Sequence, residues 1–235
     1  MPEVEPDVLV VGAATDSLGS AIVDEMFACD WEFGTIHTAG INEEFIKLDL
    51  LHSARIGEVL TEVKPDIVVC TVGMNMTTEI MDAYLAAKMS TSFGVNVTGP
   101  MELLRHFLAS PVRPEREGNT KKFVAISSNS ARIARRNSVA YCASKAALSM
   151  ALRVAARELA GDGRVAVWGY EPGLLDGTPM TEETRRQFSG ELHRMPGVPP
   201  EGLPPADLAR RIVQDLATFS YAHNGLIIPF DAGEQ

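Results

Sequence analysis

The chain has 235 residues, with 21 Lys and Arg against 31 Asp and Glu, a formal net charge of −10. With 46% hydrophobic and 22% charged residues, it has the balance of one globular domain over 1–235, able to bury its own core. The acidity argues against nucleic acid or an anionic membrane surface as the main partner. Cys29, Cys70 and Cys142 are odd in number, widely spaced and form no C-x-x-C. A disulfide framework is therefore not expected, and a reducing cytoplasm is. The N-terminus is acidic ahead of its apolar run, unlike a secretory signal, and no run reaches the roughly 18 apolar residues of a membrane span.

In chain order, Val8–Ala13 reads as a buried strand because it is apolar on both faces, and 18–29 as the helix that follows. Phe33–Thr38 and Glu44–Asp49 are weaker strands. Residues 51–63 are helical and Pro65 closes them. Asp66–Thr71 is the next buried strand. Residues 77–109 read as mostly helical, two helices meeting near Met89–Ser90. Residues 111–120 are a polar surface loop. Lys122–Ser127 is a strand, 138–160 a long Ala-rich helix, and Val165–Tyr170 a strand. Residues 171–205 hold seven of the 14 prolines and read as an irregular excursion. A helix over 206–219 and a strand over 226–230 end the pattern.

Strand and helix alternate throughout. That predicts an α/β fold, a doubly wound parallel sheet of Rossmann type with about seven strands and helices on both faces. Ligands in such sheets sit beyond the carboxyl ends of the strands. The turn after the first strand is Gly12-Ala13-Ala14-Thr15-Asp16-Ser17-Leu18-Gly19. Glycine there permits close approach of a dinucleotide pyrophosphate to free amides at a helix N-terminus. The same residues also suit a plain strand–helix turn. After the next strand, an acid would hold a ribose 2′-hydroxyl and a base a 2′-phosphate. This chain offers His37 and Thr38, with Glu43 and Glu44 a little later as solvated loop charges. No Lys or Arg occurs between residues 1 and 46, which favours NAD over NADP. Asp49 can meet the adenine edge, cap the following helix, or do both.

Tyr141-Cys142-Ala143-Ser144-Lys145 carries the chemistry. Positions i and i+4 share a helix face. A neighbouring cation favours phenolate and lowers a tyrosine pKa from its usual value of about 10. Such a phenol can exchange a proton with an alcohol or carbonyl oxygen.

With Ser128 thirteen residues upstream of Tyr141 at a strand end, this pattern resembles the short-chain dehydrogenase/reductase family. Gly12…Gly19 resembles its glycine-rich turn, and Asp49-Leu50 its adenine-side Asp. Cys70-Thr71-Val72-Gly73 stands where the family usually has Asn-Asn-Ala-Gly, and Asn96 matches its helix asparagine. Pro172-Gly173, followed by Thr178 and Met180, matches its Pro-Gly segment. Asn224-Gly225…Asp231-Ala232-Gly233 resembles its closing segment. The resemblance implies a hydride-transferring oxidoreductase that uses NAD or NADP on a carbonyl or secondary alcohol, with Tyr141 as general acid/base. Lys145 would lower the Tyr141 pKa and bind the nicotinamide ribose. Ser128 would stabilise charge on the substrate oxygen, and Asn96 would hold a relay water. A non-catalytic dinucleotide sensor or scaffold is the alternative, and a lyase or epimerase using the same Tyr/Lys pair a third.

The chain departs from the family in three places. The middle glycine of the turn is missing, so Thr15 or Ser17 hydroxyls would assist pyrophosphate binding. Residues 39–43 leave no room for the usual helix between the second and third strands. Glu171 precedes Pro172, either near nicotinamide and substrate or facing outward. Arg132, Arg135 and Arg136 are either a solvated or subunit-facing loop, the preferred reading, or forks for an anionic substrate. Residues 174–205, with Met180, Phe188, Leu192 and Met195, suggest a lid. Cys142 reads as packed rather than reactive. His37, His52, His106, His193 and His223 show no ligand spacing, so no metal is expected. By resemblance, the helices of 77–109 and 138–160 pair across a twofold axis in a homotetramer, with a homodimer second.

Overall fold

The computed structural model describes residues 5–41, 45–112, 120–161, 163–187, 202–219 and 221–231. Seven strands form one sheet in the order β3-β2-β1-β4-β5-β6-β7, and every adjacent pair is parallel. The strands are β1 (Val8–Val11), β2 (Ile36–Gly40), β3 (Ile46–Lys47), β4 (Ile67–Cys70), β5 (Lys121–Ile126), β6 (Val165–Pro172) and β7 (Ile227–Phe230). The helices are α1 (Leu18–Ala28), α2 (Ser53–Val63), α3 (Leu85–Phe93), α4 (Gly99–Ala109), α5 (Val139–Glu158), α6 (Pro179–Gln187) and α7 (Pro205–Thr218).

The central strands β1 and β4 are buried on both faces because helices cover both. On one face Leu9, Val11, Val68 and Phe123 pack with Ile56, Leu60, Leu103, Phe107, Leu148 and Leu152 of α2, α4 and α5. On the other, Val10, Val69, Trp168 and Tyr170 pack with Ile22 of α1 and Leu208, Ile212 and Leu216 of α7. Helix α2 shows how the local sequence sets an element. Ile56, Val59, Leu60 and Val63 recur at helical spacing and are buried. Lys64 then ends the helix in the left-handed region at φ 50°, and Pro65 bars its continuation. The sheet order reverses between β1 and β4, so the carboxyl ends of these two strands flank the crevice where such sheets bind ligands.

Five readings need correction. Strand β2 runs from Ile36 to Gly40 rather than over 33–38, because the chain bends at Gly34, whose N–H donates to the Pro6 carbonyl at 3.0 Å. Strand β3 has only two residues, consistent with the short connection from β2. The break within 77–109 is a π-helical turn at Gly94–Thr98, and the first helix starts only at Leu85. Residues 179–187 form a helix within what reads as an irregular excursion. Finally, α5 with its extension to Gly161 has the length and mean hydropathy of a membrane-crossing helix. Tyr141, Leu148, Leu152 and Ala156 along it are buried, so it packs as a core helix.

Candidate active site

A cavity of about 620 Å³ opens along the carboxyl ends of β1, β2, β4, β5 and β6. At its centre, β1 runs into Gly12, whose φ is +97°. A Cβ there would stand 2.7 Å from Thr71 Oγ1 and 3.1 Å from the Val72 amide nitrogen, so only glycine fits both the conformation and the space. Gly19 does not line the cavity. A Cβ on it would lie 2.6 Å from the Gly12 carbonyl, so it lets α1 seat against the turn. Ser17 caps α1: its hydroxyl accepts from Ser20 N at 3.2 Å and donates to Gly12 O at 3.2 Å. That hydroxyl is committed within the protein rather than offered to a pyrophosphate. Thr15 points outward into solvent and is not part of the lining. Gly12, Ala14, Ser17 and Leu18 do form the wall beside the helix N-terminus, where amides and dipole favour an anion.

The cavity end beside β2 and β3 is lined by Gly40, Ile41, Phe45, Asp49 and Leu50. His37 and Thr38 are absent from it. They pair in register with Leu9 and Val10 in mid-strand, because β2 ends two residues later than the sequence suggests. Asp49 accepts from Leu51 N at 2.9 Å, and its Oδ2 lies 3.2 Å from His52 Nδ1. It thus organises the entry to α2 while remaining on the wall. Glu43 and Glu44 fall outside the described residues, as do Phe188, Leu192, Met195, Ala232 and Gly233.

After β4, Thr71, Val72 and Gly73 line the cavity. Asn96, fully buried in the π-helical turn, clamps the next residue. Its Oδ1 accepts from Met74 N at 2.7 Å, and its Nδ2 donates to Met74 O and Ser144 Oγ, each at 2.9 Å. The side chain is spent on positioning this loop and does not reach the cavity.

The opposite end holds Ser128, Tyr141 and Lys145, which share this wall and are 7%, 8% and 3% exposed. Ser128 leaves β5 in extended conformation and accepts from Ser130 N at 3.1 Å. It therefore caps a short turn as well as facing the cavity. Lys145 Nζ donates to Ile126 O at 2.9 Å and stands 5.8 Å from the Tyr141 ring centre. Burial pulls the Lys145 amine down to about 8. Burial also pushes the Tyr141 phenol up, opposed by a hydrogen bond with Ser128 and the charge of Arg135. The net direction for Tyr141 is therefore upward rather than the expected lowering, because desolvation outweighs the hydrogen bond and the charge that act against it. Pro172 and Gly173 at the end of β6 complete the wall.

Glu171 takes neither of its two expected positions. It is 2% exposed, faces α5, and lies outside the cavity lining. Arg132 Nε donates to Glu171 Oε2 at 2.5 Å, and the Ser149 hydroxyl donates to Glu171 Oε1 at 2.7 Å. Sequence reasoning also missed Asn75 and Thr184. They face each other in the cavity through an Asn75 Nδ2–Thr184 Oγ1 bond of 3.2 Å, and no local pattern links residues so far apart.

The family model for short chain dehydrogenases matches residues 7–188. The chain belongs to the short chain dehydrogenase family. This makes it a member of a family of oxidoreductases that act on small molecules. No curated protein matches the chain. Among solved structures, a short chain dehydrogenase family protein from Francisella tularensis superposes with a TM-score of 0.79 at 21% identity, over 98% of each chain. A short chain dehydrogenase/reductase family oxidoreductase from Burkholderia thailandensis gives 0.80 at 20%, covering 98% of this chain and 93% of that one. A short chain dehydrogenase from Burkholderia cenocepacia, solved in complex with NADP, gives 0.74 at 18%, covering 97% and 88%. At these identities the structures share the fold.

Proposed function

We propose that this short chain dehydrogenase transfers a hydride between a nicotinamide cofactor and a carbonyl or secondary-alcohol substrate, with Tyr141 as general acid/base. The observation that carries this reading is one cavity with a glycine-walled helix N-terminus at its centre and Ser128, Tyr141 and Lys145 at one end. The residues present suit a dinucleotide. Gly12 leaves room where a side chain would intrude, and the α1 N-terminus suits a pyrophosphate. When bound, the cofactor supplies or accepts the hydride. Tyr141 gives its proton to the substrate oxygen in reduction and removes it in oxidation. Ser128 hydrogen-bonds the same oxygen. Lys145, with a pKa of about 8, exchanges protons near neutral pH, and the Asn96 clamp on Met74 holds the adjoining wall.

NAD is the preferred cofactor in this reading, since the described lining beside β2 and β3 carries Asp49 and no basic side chain. The NADP complex of the Burkholderia cenocepacia protein makes NADP the competitor. Exposed Ile80, Met81 and Tyr84, with Met150 and Val154 of α5, support a homotetramer or homodimer, which light scattering tests. The reaction is tested by following NADH and NADPH absorbance over a panel of ketones and alcohols. Tyr141→Phe is expected to lower kcat/KM by about 10²–10⁴-fold. Undiminished activity in that variant removes the assignment.

A further inference from the structure

We propose that Arg135 binds an anionic group of the substrate, so that the compound reduced or oxidised beside Tyr141 carries a carboxylate. This rests on the reading of the cavity as a substrate site. The three arginines between Ser128 and Tyr141 have different surroundings. Arg132 is engaged by Glu171 and by Asp231, whose Oδ2 accepts from Nη2 at 3.1 Å. Arg136 is exposed and outside the cavity lining. Arg135 lines the cavity, and neutral groups hold it in place. Its Nε donates to Ser130 Oγ at 2.9 Å and its Nη2 to Asn129 Oδ1 at 2.7 Å. Its third nitrogen, Nη1, is buried and meets no acceptor among the described residues.

A half-buried guanidinium with no carboxylate partner is costly. Here desolvation is the leading influence on it. Asp231 is close enough for its charge to be felt, but Arg132 and Asn129 already bind it. Among the described lining residues, the end holding Tyr141 carries Lys145 and Arg135 and no carboxylate. Asp49 stands at the far end, beside β3. That field favours an anion, and an arginine fixed by two hydrogen bonds is already ordered to receive one. The position beside Tyr141, rather than at the end of β2, assigns the anion to the substrate rather than to a cofactor phosphate.

The test uses short-chain 2-, 3- and 4-oxo acids and their methyl esters. Binding is measured by saturation-transfer NMR on the full chain, with and without saturating NADH or NADPH, and turnover is followed in parallel. At least one acid is expected to bind about tenfold or more tightly than its ester. Arg135→Gln should abolish that difference, and Arg135→Lys should restore part of it. Equal binding of acids and esters, an acid preference that survives Arg135→Gln, or no acid with a Kd below about 10 mM each overturns the proposal. Arg135-dependent binding of acids without turnover of any oxo acid supports the anion site, and the oxidoreductase reading alone then fails.

Discussion

A Cβ on Gly73 would stand 3.1 Å from Lys145 Nζ and 3.7 Å from its Cε. The loop after β4 thus passes directly over the lysine that the Ile126 carbonyl holds from below. Any side chain at position 73 must move the amine by a few tenths of an ångström or more. Small misplacements of reacting groups can cost up to about 10²-fold in rate. Gly73→Ala is therefore expected to lower kcat/KM about ten- to a hundredfold while the melting temperature moves by only a few degrees. Steady-state kinetics beside a thermal melt separates the two effects. A fully active variant would mean that the amine has slack that the packing does not show.

The turn between β1 and α1 separates glycine from hydroxyl. All three nearest neighbours of a Cβ at position 19 are backbone atoms, between 2.6 and 2.9 Å away, and none can yield without moving the turn. Gly19→Ala should cost about 3 kcal/mol in urea unfolding, the upper end for overpacking. Thr15→Ala should leave both stability and dinucleotide affinity nearly unchanged, within about threefold for Kd, because Thr15 faces solvent. A large loss of affinity in Thr15→Ala, read by fluorescence titration, would restore that hydroxyl to the pyrophosphate site.

The Glu171–Arg132 pair joins the end of β6 to the loop after β5, and its partners differ in exposure. The carboxylate side chain is 2% exposed and the guanidinium 41%. Removing the buried partner and removing the wet one should therefore have unequal consequences. Arg132→Ala leaves a buried carboxylate with the Ser149 hydroxyl as its remaining side-chain partner, and breaking such a pair costs about 3 kcal/mol or more. Glu171→Gln leaves Arg132 with Asp231 and solvent and should cost about 1 kcal/mol. Chemical denaturation of both variants checks the order. Equal losses would mean that Glu171 is no more buried than its partner.

The elements that could be read from the sequence are those whose signal is local. Strands β1 and β4 are four-residue apolar runs buried at every position. Helix α5 carries Tyr141 and Lys145 at i and i+4, so their juxtaposition needs no tertiary information. Where the deciding contact is distant, the sequence says little. His37 could not be separated from the true end of β2, because the strand limits depend on register with β1. The use of Arg132 by Glu171, 39 positions away, has no local mark. The commitment of Asn96 to Met74 depends on a π-helical turn that no periodicity announces. The sign of the Tyr141 shift also needed structure, since the depth of burial decides whether desolvation or a neighbouring charge prevails.

The lowered pKa of Lys145 makes stability depend on pH in a defined window. Burial disfavours its charged form, so the folded chain releases the proton near pH 8, whereas the unfolded chain holds it to about 10.4. Between these values the unfolded state binds more protons, and stability rises with pH. Below pH 8 both states are protonated, and the cost of burying the charge is present in full. The raised pKa of Tyr141 acts from the other side, because above about pH 10 the unfolded phenol ionises first and stability falls. The window for Lys145 alone is therefore about pH 8 to 9.5. There the wild type should gain up to about 1 kcal/mol per pH unit relative to Lys145→Met in urea unfolding. Parallel pH curves for the two proteins would show that the amine keeps its ordinary pKa. Its role would then be that of a fixed cation beside Tyr141 rather than a group that gives and takes protons near neutrality.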